Sequence, residues 1–410
     1  MNTLPGHLLD KILFKTDHRA LAMLCCTNTS LQSYIQNSSF VSQYNSQIKS
    51  SLLHISTFGS HSLSYHHPHD GSRSLKTKKL STMCHILGFC SGLLLLFIDD
   101  RLCVANPLTK KFRFLTLSDP CPQRLVRQEN RNQLGLAVNQ IDPTTQSFNV
   151  VYIFEVERTH ETKYGFEINA GMNSWTCSKT TLTCHSSNLD GRMKSPLYLD
   201  GSLHWLRNDG SIISFNPKTE KARLIQIEFP HGLTSRTLFA PGGNSLTLVS
   251  LMDEFIYVYE LKDILVDPKW VLVKQIKNGL IDKNRVNNWY IDAYNGKCLV
   301  LRSVYDGVVH VYDLSADKWV IMGSVQGWCD ANQDFYLFTP SSSFVVRLDE
   351  IVNCGDRSIS SLRSIMTLID GSSPENQLKK TSVEGKEDER ILLLEMLLHE
   401  QNTNKKRRVV

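Results

Sequence analysis

No apolar run in this sequence approaches the roughly 20 residues that span a bilayer; Leu93 to Ile98 reaches six. Asp10 and Asp17 interrupt the apolar stretches near the N-terminus, so no secretory h-region is visible. The expected location is intracellular, in the nucleus or the cytoplasm, and a membrane is not expected as a partner. The eleven cysteines form no C-x-x-C pair and their number is odd, which argues against a zinc site or a disulfide framework and for reduced thiols. No G-x-S-x-G, H-E-x-x-H or P-loop string occurs, so no catalytic residue, cofactor or metal is expected. Nor is there an excess of one charge. A net +5 over 410 residues is too mild to make nucleic acid an expected partner.

What is present is ordinary globular composition, 41% hydrophobic and 21% charged, in a chain long enough for two or three domains. The first fifty residues are the most informative. Pro5 opens a helix in which Leu8, Leu9, Ile12 and Leu13 recur on one side, with Thr3 as a candidate cap. Asp17 is a candidate cap for a second helix carrying Ala20, Leu21, Leu24 and Cys25, and Thr29 or Ser30 for a third carrying Leu31, Tyr34 and Ile35. Helices this short must pack to survive. A module of about 45 residues rarely closes its own core, so spare apolar surface points to a partner.

The stretch Leu4-Pro5-Gly6-His7-Leu8-Leu9-Asp10-Lys11-Ile12-Leu13, with Cys25-Cys26-Thr27-Asn28, Leu31-Gln32-Ser33-Tyr34-Ile35 and Phe40, resembles a plant F-box. The resemblance implies docking onto a Skp-type adaptor and, through it, a cullin. The expected adaptor-binding residues are Leu4, Pro5, Leu8, Leu9, Ile12 and Leu13, supported by Leu24 and Leu31. Thr16-Asp17-His18-Arg19 replaces the family's apolar hinge, and Leu31 stands where many members have Trp.

Residues 46–83 are rich in Ser, His and Lys, show no sustained apolar period from Ser56 to Ser74, and read as a linker. The histidine cluster within them, His61, His66, His67 and His69, has no Cys or second carboxylate nearby and fits a solvated loop better than a metal site. Beyond Gly88 a pattern repeats: a strand ends in a small polar residue, a tight turn follows, and an aromatic begins the return. It is seen at Asn106-Pro107, Asp142-Pro143, Asn169 before Trp175, Asn216-Pro217, Lys262 before Trp270, and Asp313 before Trp319. Six such markers give a spacing of roughly 41 residues, that of a four-stranded propeller blade. The individual intervals are uneven, which leaves room for two markers in one blade and leaves the blade count open.

Gly88-Phe89-Cys90-Ser91-Gly92, Asn106-Pro107-Leu108-Thr109-Lys110, Leu199-Asp200-Gly201-Ser202-Leu203-His204-Trp205 and Phe215-Asn216-Pro217-Lys218-Thr219-Glu220 resemble the plant F-box-associated domain, related in pattern to kelch propellers. The expected fold is therefore mixed and mainly β: a helical F-box at 1–45, a linker at 46–83, a β-propeller-like domain at 84–350, and a flexible, partly helical tail at 351–410. The resemblance implies a non-catalytic substrate receptor of a Skp-cullin-F-box ubiquitin ligase, holding an unidentified target protein on the propeller. The alternative is a propeller interaction module that works without a ligase.

A copper oxidase would need converging ligands, and His160, His185, His204, His231 and His310 occupy no common position of the repeat. Trp175, Trp205, Trp270, Trp289, Trp319 and Trp328 suit the core or hairpin covers. In the tail, residues 391–398 read as a short apolar helix, and Lys405-Lys406-Arg407-Arg408 reads equally as a nuclear import signal or a solubilising end.

Overall fold

The computed structural model describes residues 5–16, part of 21–44, and 51–56, 62–66, 76–116, 132–158, 161–189, 196–278, 289–303, 307–324, 334–348 and 357–370, single positions apart. Five four-stranded sheets and one six-stranded sheet are built from them. Blade 1 takes residues 84–115, blade 2 residues 134–185, blade 3 residues 197–225, blade 4 residues 237–277 and blade 5 residues 289–324. Blade 6 combines strands Ser51–Ser56, Ser62–His66 and Lys76–Lys79 with Asp334–Phe338. Successive inner strands pack on one another around the ring, and blade 6 meets blade 1. The result is a closed propeller of six blades.

A blade inside a ring is covered on both faces, so its middle strands need apolar side chains on both sides of the pleat. Strand Leu93–Ile98, fully buried, shows this directly. Leu94, Leu96 and Ile98 enter the core between blades 6 and 1, while Leu93, Leu95 and Phe97 enter the core between blades 1 and 2. Each of the other four seams has its own apolar core.

Five of the six repeated turns are Asx turns, the turn after Lys262 being closed by backbone bonds to the Asp263 carbonyl. The Asn106 Oδ1 accepts from the Leu108 and Thr109 amides at 3.1 and 3.2 Å, Asn216 from Lys218 and Thr219 at 3.0 and 2.9 Å, and Asp313 from Ser315 and Ala316 at 2.8 and 3.0 Å. Four positions after each, Lys110, Glu220 and Asp317 take positive φ of 59°, 52° and 51°, which turns the chain back into the outer strand. The Asn169 turn has the same place in blade 2, between its third strand and Thr176–Cys177, whereas Asp142 joins that blade's first two strands. With Asp142 set aside, the third-to-fourth-strand turns mark blades 1 to 5 once each.

Two boundaries are corrected. Residues 46–83, expected to be a linker, supply three strands of blade 6 and pair with Asp334–Phe338 from the far end of the chain. The expected tail, beginning at 351, contains helix α3 (Arg357–Asp370; the N-terminal helices α1 and α2 are described below). Its Ile359, Leu362, Ile365, Met366 and Ile369 fill the core between blades 6 and 1. The Ser361 hydroxyl lies 2.8 Å from Ser81 Oγ and 2.9 Å from Thr82 Oγ1, and accepts from the Thr82 amide at 3.2 Å. Tyr336 of blade 6 donates across the same seam to the Ile86 carbonyl at 2.8 Å. Strand order and helix together fasten the ring where its two ends meet. The expected helix at 391–398 and the basic end at 405–408 lie outside the described residues.

Candidate functional site

Helix α1 (Gly6–Leu13) follows Pro5, whose extended ψ of 138° places it just before the first turn. Helix α2 (Thr29–Ile35) is capped by Asn28, which accepts from the Ser30 and Leu31 amides at 2.8 and 3.2 Å; the expected caps, Thr29 and Ser30, are instead inside the helix. Leu13, Leu21, Leu31, Ile35, Phe40 and Tyr44 form the module's core. Phe14 and Phe40 stack at 5.2 Å, and Phe40 and Tyr44 at 5.9 Å. The Tyr34 hydroxyl donates to Asp10 Oδ1 at 2.8 Å and fixes α1 against α2; that carboxylate holds the tyrosine above its ordinary pKa.

Side chains four apart share a helix face. On the outer face of α1, Leu8 and Ile12 are 41% and 43% exposed, with Pro5 exposed beside them. Of the residues expected to bind an adaptor, these three line a free apolar ridge. Leu9 and Leu24 are half-buried and pack against the core. Leu13 and Leu31 are inside it. For Leu13 this is a correction: it supports the ridge from beneath instead of lining it, because the helical period turns it 100° away from Ile12. Leu4 lies outside the described residues, as do Thr3 and Asp17.

The other candidate residues are dispersed. His185 and His204 belong to strands of blades 2 and 3, His231 to the connection between blades 3 and 4, and His310 to blade 5; among the described residues no three His, Cys, Asp or Glu side chains gather as metal ligands would. His160, His61, His67 and His69 lie outside the described residues. Trp205, Trp270 and Trp289 are buried in seams, Trp319 packs on Tyr312 at 4.8 Å, and Trp175 donates its indole N–H to the Thr116 carbonyl at 2.7 Å. These five serve as core or hairpin cover. Trp328 is outside the described residues.

Burial pushes the His204 imidazole down to about 4, although the Leu199 carbonyl 3.4 Å from Nε2 partly opposes this. The unfolded chain takes up this proton near 6.5, whereas the folded one refuses it until about 4. Stability should therefore fall as the pH is lowered through that window, by on the order of 3 kcal/mol from this residue. Urea unfolding at pH 7 and pH 4.5 tests this: His204→Gln should lose less stability between the two than the parent, and an equal loss would contradict it.

With the ring and its helical module in view, comparison with known proteins gives a consistent answer. A family model described as "F-box associated beta propeller domain" matches residues 37–260. The chain belongs to the plant F-box/kelch-repeat family. One F-box/kelch-repeat protein of Arabidopsis thaliana is 48% identical over 85% of this chain and 79% of its own length, and another is 40% identical over 90% and 96%. An F-box protein of the same plant is 40% identical over 70% of this chain and 96% of its own. The family match begins at residue 37, before the first strand of blade 6, in keeping with residues 51–79 being part of the propeller. As a member of this family it is an F-box-associated β-propeller protein.

Proposed function

We propose that this F-box propeller protein is the substrate-recognition subunit of a Skp-cullin-F-box ubiquitin ligase, working in the nucleus or cytoplasm. The observation that carries the proposal is the exposed ridge of Pro5, Leu8 and Ile12 on a helical module whose core of Leu13, Leu21, Leu31, Ile35, Phe40 and Tyr44 is buried beneath it. An apolar ridge on an otherwise closed module is stabilised by a partner that covers it. The ligase role is one of proximity: one end grips a Skp-type adaptor and through it a cullin, and the propeller holds the target within reach of the ubiquitin-loaded enzyme. Raised effective concentration, with no bond made or broken by this chain, supplies the rate gain.

Affinity purification of the full chain from plant cells tests the reading. The parent should bring down a Skp-type adaptor and a cullin. A Leu8→Asp, Ile12→Asp double variant should lose both and keep proteins bound to the propeller. Equal recovery of adaptor by the two would overturn the proposal, and an effect on the target that persists in the variant would favour a module independent of the ligase.

A further inference from the structure

Natural sheets keep their edge strands short or charged, since an edge presents unpaired amides and carbonyls to any extended chain. Four blades of this ring follow that rule, and blade 5 is intermediate. Outer strand Lys76–Lys79 of blade 6 is four residues with three lysines, and Lys111–Leu115 and Lys221–Ile225 are five each. In blade 2 the edge is split between Thr176–Cys177 and Leu182–His185. Blade 5 ends in the seven-residue Lys318–Ser324. Blade 4 departs from the rule. Its outer strand, Lys269–Lys277, runs nine residues and, among the described residues, pairs on one side only, with Phe255–Lys262.

That strand is also apolar outward. Val271, Leu272 and Val273 are exposed in succession, because a bulge opposite Val258 and Tyr259 breaks the alternation of the pleat. In the hairpin before it Leu265 and Val266 are 77% and 91% exposed, and Val320 and Ile321 on the outer strand of blade 5 continue the belt. At the start of the strand a cavity of about 400 Å³ opens between Ile227, Glu228, Pro230, Pro268 and Trp270. An unpaired backbone edge with exposed aliphatic side chains and a pocket at one end is the arrangement that accepts an added strand and anchors one of its side chains.

Charge decides what would add. The strand carries Lys269, Lys274 and Lys277 and no acidic residue. Lys269 faces Asp263 at 3.7 Å, and Lys274 turns toward blade 5, where it donates to the Leu314 carbonyl at 3.2 Å. Lys277 is exposed and has no ion-pair partner among the described residues. A second copy paired antiparallel about Val273 would set Lys269 against Lys277 at both ends, and like charges directly opposite are destabilising. We infer that the outer strand of blade 4 is a docking edge for an extended aliphatic segment of another protein, with a carboxylate set against Lys277. This rests on the target-holding role proposed above and names the edge and the kind of segment it takes.

The test is fluorescence anisotropy on the purified full chain with a labelled peptide of about nine alternating valines and threonines, ended by two glutamates or by two lysines. The glutamate form should bind more tightly. Leu272→Lys should weaken it by more than about tenfold, and Lys277→Glu should reverse the preference by about fivefold at low salt. Because Lys277 is exposed, the reversal stays readable if Leu272→Lys disturbs folding. No binding by the parent, or no reversal, overturns the inference. So does a dimer in sedimentation that Leu272→Lys abolishes, which would make a second copy the occupant. Binding seen only in a chain ending at residue 370 overturns it as well, since residues beyond 370 would then cover the edge. Adaptor retention, measured on the same samples, separates failure of this edge from failure of the ligase reading.

Discussion

Asp292→Ala is expected to destabilise the propeller by about 3–5 kcal/mol, the usual cost of removing one partner from a buried ion pair. Asp292 Oδ2 accepts from Arg302 Nε at 2.8 Å, and both side chains are almost wholly buried, 2% and 0% exposed. The two terminal nitrogens of Arg302 have no hydrogen-bond partner and lie among rings, with the guanidinium carbon 5.5 Å from the Tyr290 centroid and 5.8 Å from that of Phe335. Cation–π attraction offsets part of their desolvation, but among the described residues Asp292 supplies the only countercharge bonded to the group. The aspartate bulges from the inner strand of blade 5, and Phe335 is on the inner strand of blade 6. The loss should thus act at the seam next to the ring's closure. Urea unfolding of the parent and of Asp292→Ala measures it. The double variant Asp292→Ala, Arg302→Met should recover much of the loss, because it removes the stranded charge along with its partner. A single variant within about 1 kcal/mol of the parent would show that the pair is not the structural element described.

Leu362→Ala comes next, with an expected cost of about 2–5 kcal/mol for a leucine truncated in a packed core. Leu362 is fully buried at the seam of blades 6 and 1, where α3 covers Leu53, Cys84 and Phe338. Blade 6 draws strands from both ends of the chain, so this seam holds the ring shut. Hydrogen exchange locates the effect. Amides of Ser51–Ser56 and Asp334–Phe338 should lose protection before those of blade 3, on the far side of the ring. Uniform loss of protection would mean that α3 adds to global stability without guarding the closure.

Much of this was legible in the sequence wherever the chemistry is local. The Asn106, Asn216 and Asp313 turns declare themselves because an Asx side chain bonds amides two and three residues on, which needs no distant partner. The outward face of α1 was legible for the same reason, Leu8 and Ile12 being four apart. Long-range pairing is what hid the rest. Ser51–Ser56 has no complete blade near it in sequence; its other neighbour is Asp334–Phe338, and without that strand residues 46–83 look like polar filler. Helix α3 was obscured by Ser358 and Ser361, which lower its mean hydropathy although both are buried; Ser361 is bonded to Ser81 and Thr82, and Ser358 donates to Asp99 at 3.2 Å. In the N-terminal helical module, Leu13 and Ile12 are equally apolar and adjacent, and only the phase of the helix sends one inward and the other to solvent. The edge of blade 4 gave no signal because Val271-Leu272-Val273 reads as an ordinary buried run until the bulge exposes it.

The exposed ridge of α1 is proposed to join this propeller to a Skp-type adaptor. Calorimetric titration of purified adaptor into the purified full chain tests it most directly. The parent should bind with one-to-one stoichiometry, and Leu8→Asp with Ile12→Asp should weaken binding by more than about a hundredfold, since two aliphatic side chains that a partner would bury become charged. His204→Gln, in a strand of blade 3, should bind as the parent does at pH 7. Equal affinity for the parent and the double variant, or no heat from either, would contradict the account.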